Sequence, residues 1–352
     1  DSGAIRPGHR PTLDSRANPG GHTNRPMELV TNKKLYLVSG RTNLPLAEAI
    51  ACELGVGLGD PNLAEFANGE IHCRFSESIR GCDVFILQTH SGRSGASIND
   101  SLMEQLIMVD AARRASAKRI TVVCPHYGYG RQDRKATGRE PITAKLVANL
   151  FKEAGASRLV GIDLHSGQIQ GFFDGPVDHL TAMPVLIEGL SSLKGDLTIV
   201  SPDAGRVKVA ERYAIMLGAE LAIVHKRRSH SAFNTVEALE VVGDVSGRLC
   251  VLVDDMIDTA GTICSAANQL ADRGAAEVVA ATTHGVFSEP ALERLADSAL
   301  QKVIVTDTLP LPDGADPDLF EVVSVAPLIA EAIRAVFEDT SVSEIFGGNN
   351  LV

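Results

Sequence analysis

The sequence predicts an α/β fold of two tandem units, each a parallel sheet flanked by helices, and three observations carry the prediction. Short apolar strands alternate with helical patterns from Leu35 onward. The hydrophobic content is 44% with no tryptophan and few aromatics, which favours aliphatic interiors and is enough for two cores in 352 residues. Parts of the second half also repeat parts of the first. In order, the strands are LYLVS, VFIL, ITVVC and LVGID, then LTIV, LAIV, CVLV, VVAAT and KVIV. Residues 1–32, rich in Gly, Pro, Arg, Asn and Ser without apolar periodicity, read as a disordered extension, with Met27 a candidate start of a shorter version.

The internal repeat is visible without gaps between Val147–His165 and Ala266–His284, which share six identities in nineteen, Gly155/Gly274 and His165/His284 among them. LYLVSGRTNLPLAEAIACELG matches LTIVSPDAGRVKVAERYAIMLG with one inserted residue, and together these point to duplication. On this alignment HYGYGRQDRKATGREP is the elongated counterpart of DDMIDTAGT. One copy keeps a short turn and the other has grown a cationic, glycine-bearing flap.

Charge and cysteine usage narrow the function. A net charge of −11 and a pI near 5.4 argue against a nucleic-acid surface, so any phosphate site must be a local cluster of cations. Cys52, Cys73, Cys82, Cys124, Cys250 and Cys264 lack CxxC spacing and read as buried thiols in a reducing cytoplasm. Neither a signal peptide nor a bilayer-length apolar run is visible, so the expectation is a soluble cytosolic protein without a membrane partner.

VLVDDMIDTAGT, Val251 to Thr262, is the most specific stretch. Val251, Leu252 and Val253 read as a buried strand, while Ile263, Ala266, Ala267, Leu270 and Ala271 give a helical face that Gly274 stops. Between them Thr259, Ala260, Gly261 and Thr262 offer N–H groups and hydroxyls at a helix N-terminus, a natural anion site. Asp254 and Asp255 at the strand end can accept hydrogen bonds from a polyol or hold hydrated Mg2+. The bland alternative is a capped helix after a core strand, which leaves the paired acids unexplained.

Other strand ends carry further candidates. The flap holds Arg131, Arg134, Lys135 and Arg139, with Gly128, Gly130 and Gly138 supplying flexibility; it could close over a polyphosphate, or be a solvated loop. HKRR, His225 to Arg228, follows LAIV directly, where ligands gather in parallel sheets. SPDAGR offers a second anion-binding turn, with Asp203 at its start. His165, in DLH, is either a hydrogen-bonded core histidine or a metal ligand shared with Asp203, although Mg2+ prefers oxygen.

Taken together, VLVDDMIDTAGT, HYGYGRQDR, DLHSGQIQGFFDGPVDHL, SPDAGRV, HKRR and FANGEI resemble the ribose-phosphate pyrophosphokinases of the bacterial type, over about residues 33 to 346. The resemblance implies two phosphoribosyltransferase-like domains, 33–180 bearing the ATP flap and 181–338 bearing the sugar-phosphate turn, with a tail at 339–352 packing on the first. It also implies transfer of the diphosphoryl group of Mg-ATP to the 1-hydroxyl of ribose 5-phosphate. The products would be AMP and phosphoribosyl pyrophosphate for nucleotide, histidine and tryptophan biosynthesis.

The same resemblance assigns roles. Asp254 and Asp258, Thr259, Ala260, Gly261 and Thr262 would hold ribose 5-phosphate, with Arg228 beside them. Arg131 and Gln132 would bind ATP, and Asn68, Gly69 and Glu70 would reach the adenine of ATP in a neighbouring subunit. His165 and Asp203 would hold Mg2+, while Lys226, Arg228 and Arg131 would be the catalytic cations. A homohexamer and regulation by phosphate and ADP, the latter through Ser78-Ile79-Arg80-Gly81, are implied as well. The sequence departs from the family pattern at Asn68, commonly Asp, at Gly205-Arg206, commonly Gly-Gly, and at His126 and Gly130 in the flap. A phosphoribosyltransferase that consumes phosphoribosyl pyrophosphate would share DDMIDTAGT but not the flap or HKRR. A non-catalytic regulatory subunit would not need Lys226, Arg228, Arg131 and His165 intact.

Overall fold

The computed structural model describes residues 33–92, 95–228 and 237–347, and of these only the backbone at 226–228 and 237–239. The extension expected over 1–32, and residues 348–352 of the tail, lie outside the described residues. The first half runs β1 (Leu35–Ser39), α1 (Leu44–Leu54), β2 (Leu58–Gly59), β3 (Ala64–Glu65), β4 (Ile71–His72), β5 (Asp83–Leu87), α2 (Ile98–Arg114), β6 (Arg119–Cys124), α3 (Thr143–Ala154), β7 (Arg158–Ile162), β8 (Val177–Leu180) and α4 (Met183–Leu190). The second runs β9 (Leu197–Ser201), α5 (Val207–Leu217), β10 (Glu220–Arg228), β11 (Glu237–Val242), β12 (Leu249–Ile257), α6 (Gly261–Asp272), β13 (Glu277–Gly285), α7 (Ala291–Ala296), β14 (Lys302–Thr306), β15 (Phe320–Val323) and α8 (Ala326–Glu338).

Each predicted strand forms, and two sheets result, ordered β2-β1-β5-β6-β7-β8 and β11-β10-β9-β12-β13-β14-β15. All pairings within them are parallel except β10 with β11. The central strands are apolar on consecutive residues, as β5 (DVFIL, buried throughout) and Val251 to Val253 of β12 show, because helices cover both faces. The faces that turn toward one another share a single core: Leu37, Phe85 and Val160 of the first sheet join Val251, Val279 and Ile304 of the second, with α4 and α8 between. Asp339, just beyond α8, pairs with Arg119 of β6 at 2.6 Å, and Val342, Ile345 and Phe346 pack on the same core.

The sheet orders sustain one of the two repeat alignments and shift the other. β1 and β9 occupy matching places, each between its following strand and the strand that carries the next long unit. By sheet position, however, β5-α2-β6-α3-β7 matches β12-α6-β13-α7-β14. The flap after β6 therefore corresponds to the loop between β13 and α7, and DDMIDTAGT corresponds to the segment between β5 and α2. The nineteen-residue match had paired α3-β7 with α6-β13, which lie one strand apart. Apolar strands after Gly-capped helices resemble one another enough to align out of step.

Candidate active site

β12 is longer than predicted: it runs through Ile257, so Asp254 and Asp255 lie within its last turn of pleat rather than beyond it. Its parallel pairing with β13 continues past the acids, from Val253 with Ala281 to Met256 with His284, which holds them on a rigid element. Ala260 then takes a left-handed backbone, φ 60°, as N-cap of α6. An alanine there has no side chain to accept from the first-turn N–H groups, and none is capped by a side chain. Arg294 of α7 donates to the carbonyl of Thr259 at 2.9 Å and braces the turn from outside. α6 ends as predicted, with Gly274 at φ 86°.

A cavity of about 210 Å3 opens over this turn, lined by Arg131, Asp203, Asp254, Asp258 and Thr259 to Thr262 among others. The predicted sugar-phosphate residues therefore converge, and with them one flap residue and one residue of SPDAGR. The flap reaches across directly: Arg131 Nη2 lies 2.7 Å from Asp258 Oδ2. Arg131 also lines a second cavity with Tyr129, Gln132, His126 and Met256, so the two spaces adjoin at its side chain and at Met256. The Gln132 side chain accepts from Thr143 Oγ1 at 2.5 Å.

The flap is less free than its glycines suggested. A Cβ at Gly128 would lie 2.9 Å from His90 Cβ and 3.2 Å from Ile98 Cδ1, so this glycine permits close packing rather than movement. His126 is buried, bonded through Nδ1 to the His90 carbonyl at 2.7 Å and set edge-on to His284. Only beyond Gly130 does the loop become exposed, and there Glu140 accepts from the N–H groups of Ala136 and Thr137.

His165 follows β7, as predicted, and its Nδ1 lies 2.7 Å from Asp255 Oδ2. An Nδ1–H donated to that carboxylate leaves the Nε2 lone pair for a metal. Asp203 receives the N–H groups of Gly205 and Arg206 on Oδ1, at 2.7 and 3.2 Å. The turn is thus satisfied internally rather than being a second open anion cradle, while Oδ2 of the same carboxylate is the atom left for a cation. Of the two, the carboxylate oxygen is the donor type that hydrated Mg2+ prefers and the imidazole nitrogen a minority one. Among the described residues no three His, Cys, Asp or Glu side chains converge as a protein cage.

Arg206 fills the space between these groups. It sits 3.3 Å from Asp254 Oδ1, 2.5 Å from Asp255 Oδ2 and 3.1 Å from His165 Nδ1. Burial raises the Asp254 carboxyl well above the usual range, and the neighbouring Asp255 charge adds to this. Burial pushes Asp255 the same way, but the His165 hydrogen bond and the Arg206 charge outweigh it and hold Asp255 low.

HKRR does not trail beyond a strand. β10 continues through Arg228 because β11 pairs with it antiparallel, Lys226 opposite Leu239 and Arg228 opposite Glu237. Pairing with β9 stops at Ile223 opposite Ser201, so the HKRR backbone overhangs the end of β9 where SPDAGR begins. The side chains of Lys226 and Arg228 lie outside the described residues. Asn68, Gly69 and Glu70 form the tip of the β3-β4 hairpin and do not line the cavity; Asn68 Oδ1 accepts from Glu70 N, Gly69 has φ 86°, and Phe66 beside them is 57% exposed. Ile79 of the SIRG segment is buried, and Cys52, read as buried, is exposed.

Sequence reasoning passed over three supporting residues. Asp163 accepts from Ala182 N at 3.0 Å and from Thr283 Oγ1 at 2.6 Å, tying the DLH loop to β13. His179 accepts the N–H of Leu164 at 2.8 Å through Nε2. Both stand in the quoted DLHSGQIQGFFDGPVDHL, where strand-end polarity was the available signal. Arg294, on an amphipathic helix, gave none.

An anion turn, an acid pair and a cationic flap at the ends of parallel strands define an α/β transferase acting on a phosphorylated sugar. Residues 35–155 match the family model for the N-terminal domain of ribose phosphate pyrophosphokinase, and residues 233–347 that for the phosphoribosyl synthetase-associated domain. The ribose-phosphate pyrophosphokinase of Streptomyces avermitilis is 55% identical over 89% of this chain and 96% of its own length; that of Streptomyces coelicolor is 54% identical over the same shares. The crystal structure of phosphoribosylpyrophosphate synthetase from Mycobacterium smegmatis superposes with a TM-score of 0.81 at 51% identity, covering 87% of this chain and 100% of that one. The chain belongs to the ribose-phosphate pyrophosphokinase family, and its two sheets are two phosphoribosyltransferase-like domains.

Proposed function

We propose that the chain transfers the β,γ-diphosphoryl group of Mg-ATP to the 1-hydroxyl of ribose 5-phosphate, releasing AMP and forming phosphoribosyl pyrophosphate. The observation that carries this reading is the convergence of Arg131, Asp203, Asp254 and the Asp258–Thr262 turn on one cavity that adjoins a second through Arg131. The turn takes the 5-phosphate on the N–H groups of α6, and Asp254 and Asp258 accept from the sugar hydroxyls. ATP enters from the Gln132 side, with Arg131 forked onto its phosphates at the junction. His165 and Asp203 would hold Mg2+, which when bound would supply charge neutralisation at the phosphates.

The attacking hydroxyl and the β-phosphorus are aligned by anchoring both substrates on strand ends. Arg131, Lys226 and Arg228 stabilise charge on the transferring group and on departing AMP, which suits a reaction needing electrostatics more than a strong base. The exposed hairpin with Phe66, Asn68, Gly69 and Glu70 suits contact with the adenine in a neighbouring subunit of a cytoplasmic homohexamer, regulated by phosphate and ADP. Among the described residues no helix is long and apolar enough to cross a membrane. The test is AMP release from Mg-ATP: it must depend on ribose 5-phosphate and yield phosphoribosyl pyrophosphate in equal amount, and absence of such dependence rejects the reading.

A further inference from the structure

Arg206 departs from the Gly-Gly common in the resembling family, yet its guanidinium lies at the centre of the acidic cluster. We propose that Arg206 is the built-in cation of the Asp254–Asp255 pair, a guanidinium taking the charge-balancing place that a divalent cation would otherwise fill. The inference rests on the proposed function in taking His165 and Asp203 as the Mg2+ ligands, and adds that the acid pair is closed to a second ion.

The ion-pair geometry carries it. Asp255 Oδ2 meets His165 Nδ1 at 2.7 Å and forms an ion pair with Arg206 Nη2 at 2.5 Å. Asp254 Oδ1 accepts from Asp255 N at 2.8 Å and forms an ion pair with Arg206 Nε at 3.3 Å. On these two oxygens a metal must compete with the guanidinium, and at either acid its charge meets a fixed positive charge at ion-pair distance. The three side chains are only 19%, 8% and 19% exposed for Asp254, Asp255 and Arg206, so the pair sits where an unbalanced charge is costly. Arg206 is also placed firmly, as the residue preceding α5 with its own N–H on Asp203. A mobile ion leaves with chelation; this cation does not, and it orients both acids before any substrate arrives.

Truncating Arg206 must then open a site. Mn2+ binding is counted by electron paramagnetic resonance of the free ion, on the full chain without nucleotide or sugar phosphate. Arg206→Ala is expected to bind one more Mn2+ per chain than wild type, and adding Asp254→Asn is expected to remove that ion. Asp254→Asn alone is expected to leave the wild-type count unchanged. Equal counts in wild type and a folded Arg206→Ala overturn the proposal, as does an ion lost on Asp254→Asn in the wild-type background. The second comparison decides alone if Arg206→Ala does not fold. No turnover is needed, so failure here is separable from failure of diphosphoryl transfer, which the AMP assay reports.

Discussion

Arg131→Ala separates a structural role of the flap from a catalytic one. In the structure Arg131 pairs with Asp258 at 2.7 Å, but its side chain is 58% exposed and Asp258 22%. Water screens such a pair, which is worth about 0 to 1 kcal/mol of stability, so the melting temperature should fall by no more than about 2 °C. The catalytic cost is of another order. A fixed cation facing charge that develops during transfer is worth about 3 to 4 kcal/mol in a protected site, or a hundred- to a thousandfold in turnover. The assay is AMP release at saturating ribose 5-phosphate and Mg-ATP, alongside differential scanning fluorimetry. Turnover within about threefold of wild type would refute the assignment of Arg131 to the transferring group. A melting loss above several degrees would mean instead that the pair staples the flap shut.

Four further outcomes follow from the same geometry. Lys226→Ala should lower turnover by orders of magnitude while ribose 5-phosphate binding, measured by calorimetry, is largely kept; normal turnover would remove Lys226 from the mechanism. Gly128→Ala puts a methyl 2.9 Å from His90 Cβ, and overpacking of this kind costs about 1 to 3 kcal/mol, read as a shifted denaturation midpoint. Ile329→Ala in α8 empties a fully buried place in the core shared by both sheets and should cost about 2 to 5 kcal/mol, lost in one cooperative transition; two transitions would mean that the halves unfold separately. Burial pushes His90 down to about 4 and His126 to about 3, so both stay neutral in the native state while the unfolded chain takes up protons below about pH 6.5. Their contribution is complete above that pH and is lost as pH falls toward 4, by about 2 kcal/mol each at pH 5. Urea unfolding from pH 7.5 to 5 should show this, with a shallower slope in His90→Asn.

What was legible in the sequence is what depends on short-range pattern. Val251 to Val253 and the helix behind Thr262 follow from periodicity and a glycine stop, and both form. The acid pair, the turn and Arg131 could be singled out because strand ends in parallel sheets gather ligands. Apart from that of Asp203, whose partners stand in its own turn, the misreadings share one cause, which is dependence on a partner distant in the chain. HKRR became strand because β11 pairs with it. The flap glycine at 128 became a packing residue because His90 comes back beneath it. The alignment that paired the flap with DDMIDTAGT could not see strand order, and Asp203 could not be known to satisfy its own turn until its carboxylate had a geometry.

The join between the two sheets explains where the chemistry stands. His284 is buried on β13, and its Nε2 lies 3.1 and 3.3 Å from the carbonyls of Ile162 and Asp163. It therefore holds the end of β7 against the second sheet, while Asp163 accepts a bond from Thr283 Oγ1 on the same strand. These contacts fix the backbone two residues before His165 across the join between sheets, and His165 in turn meets Asp255 from β12. A histidine from one half and an acid from the other are thus in direct hydrogen-bond contact. Since diphosphoryl transfer gains most from alignment, the site belongs at this rigid join. The flap contributes its exposed arginine and not the residues that set this geometry.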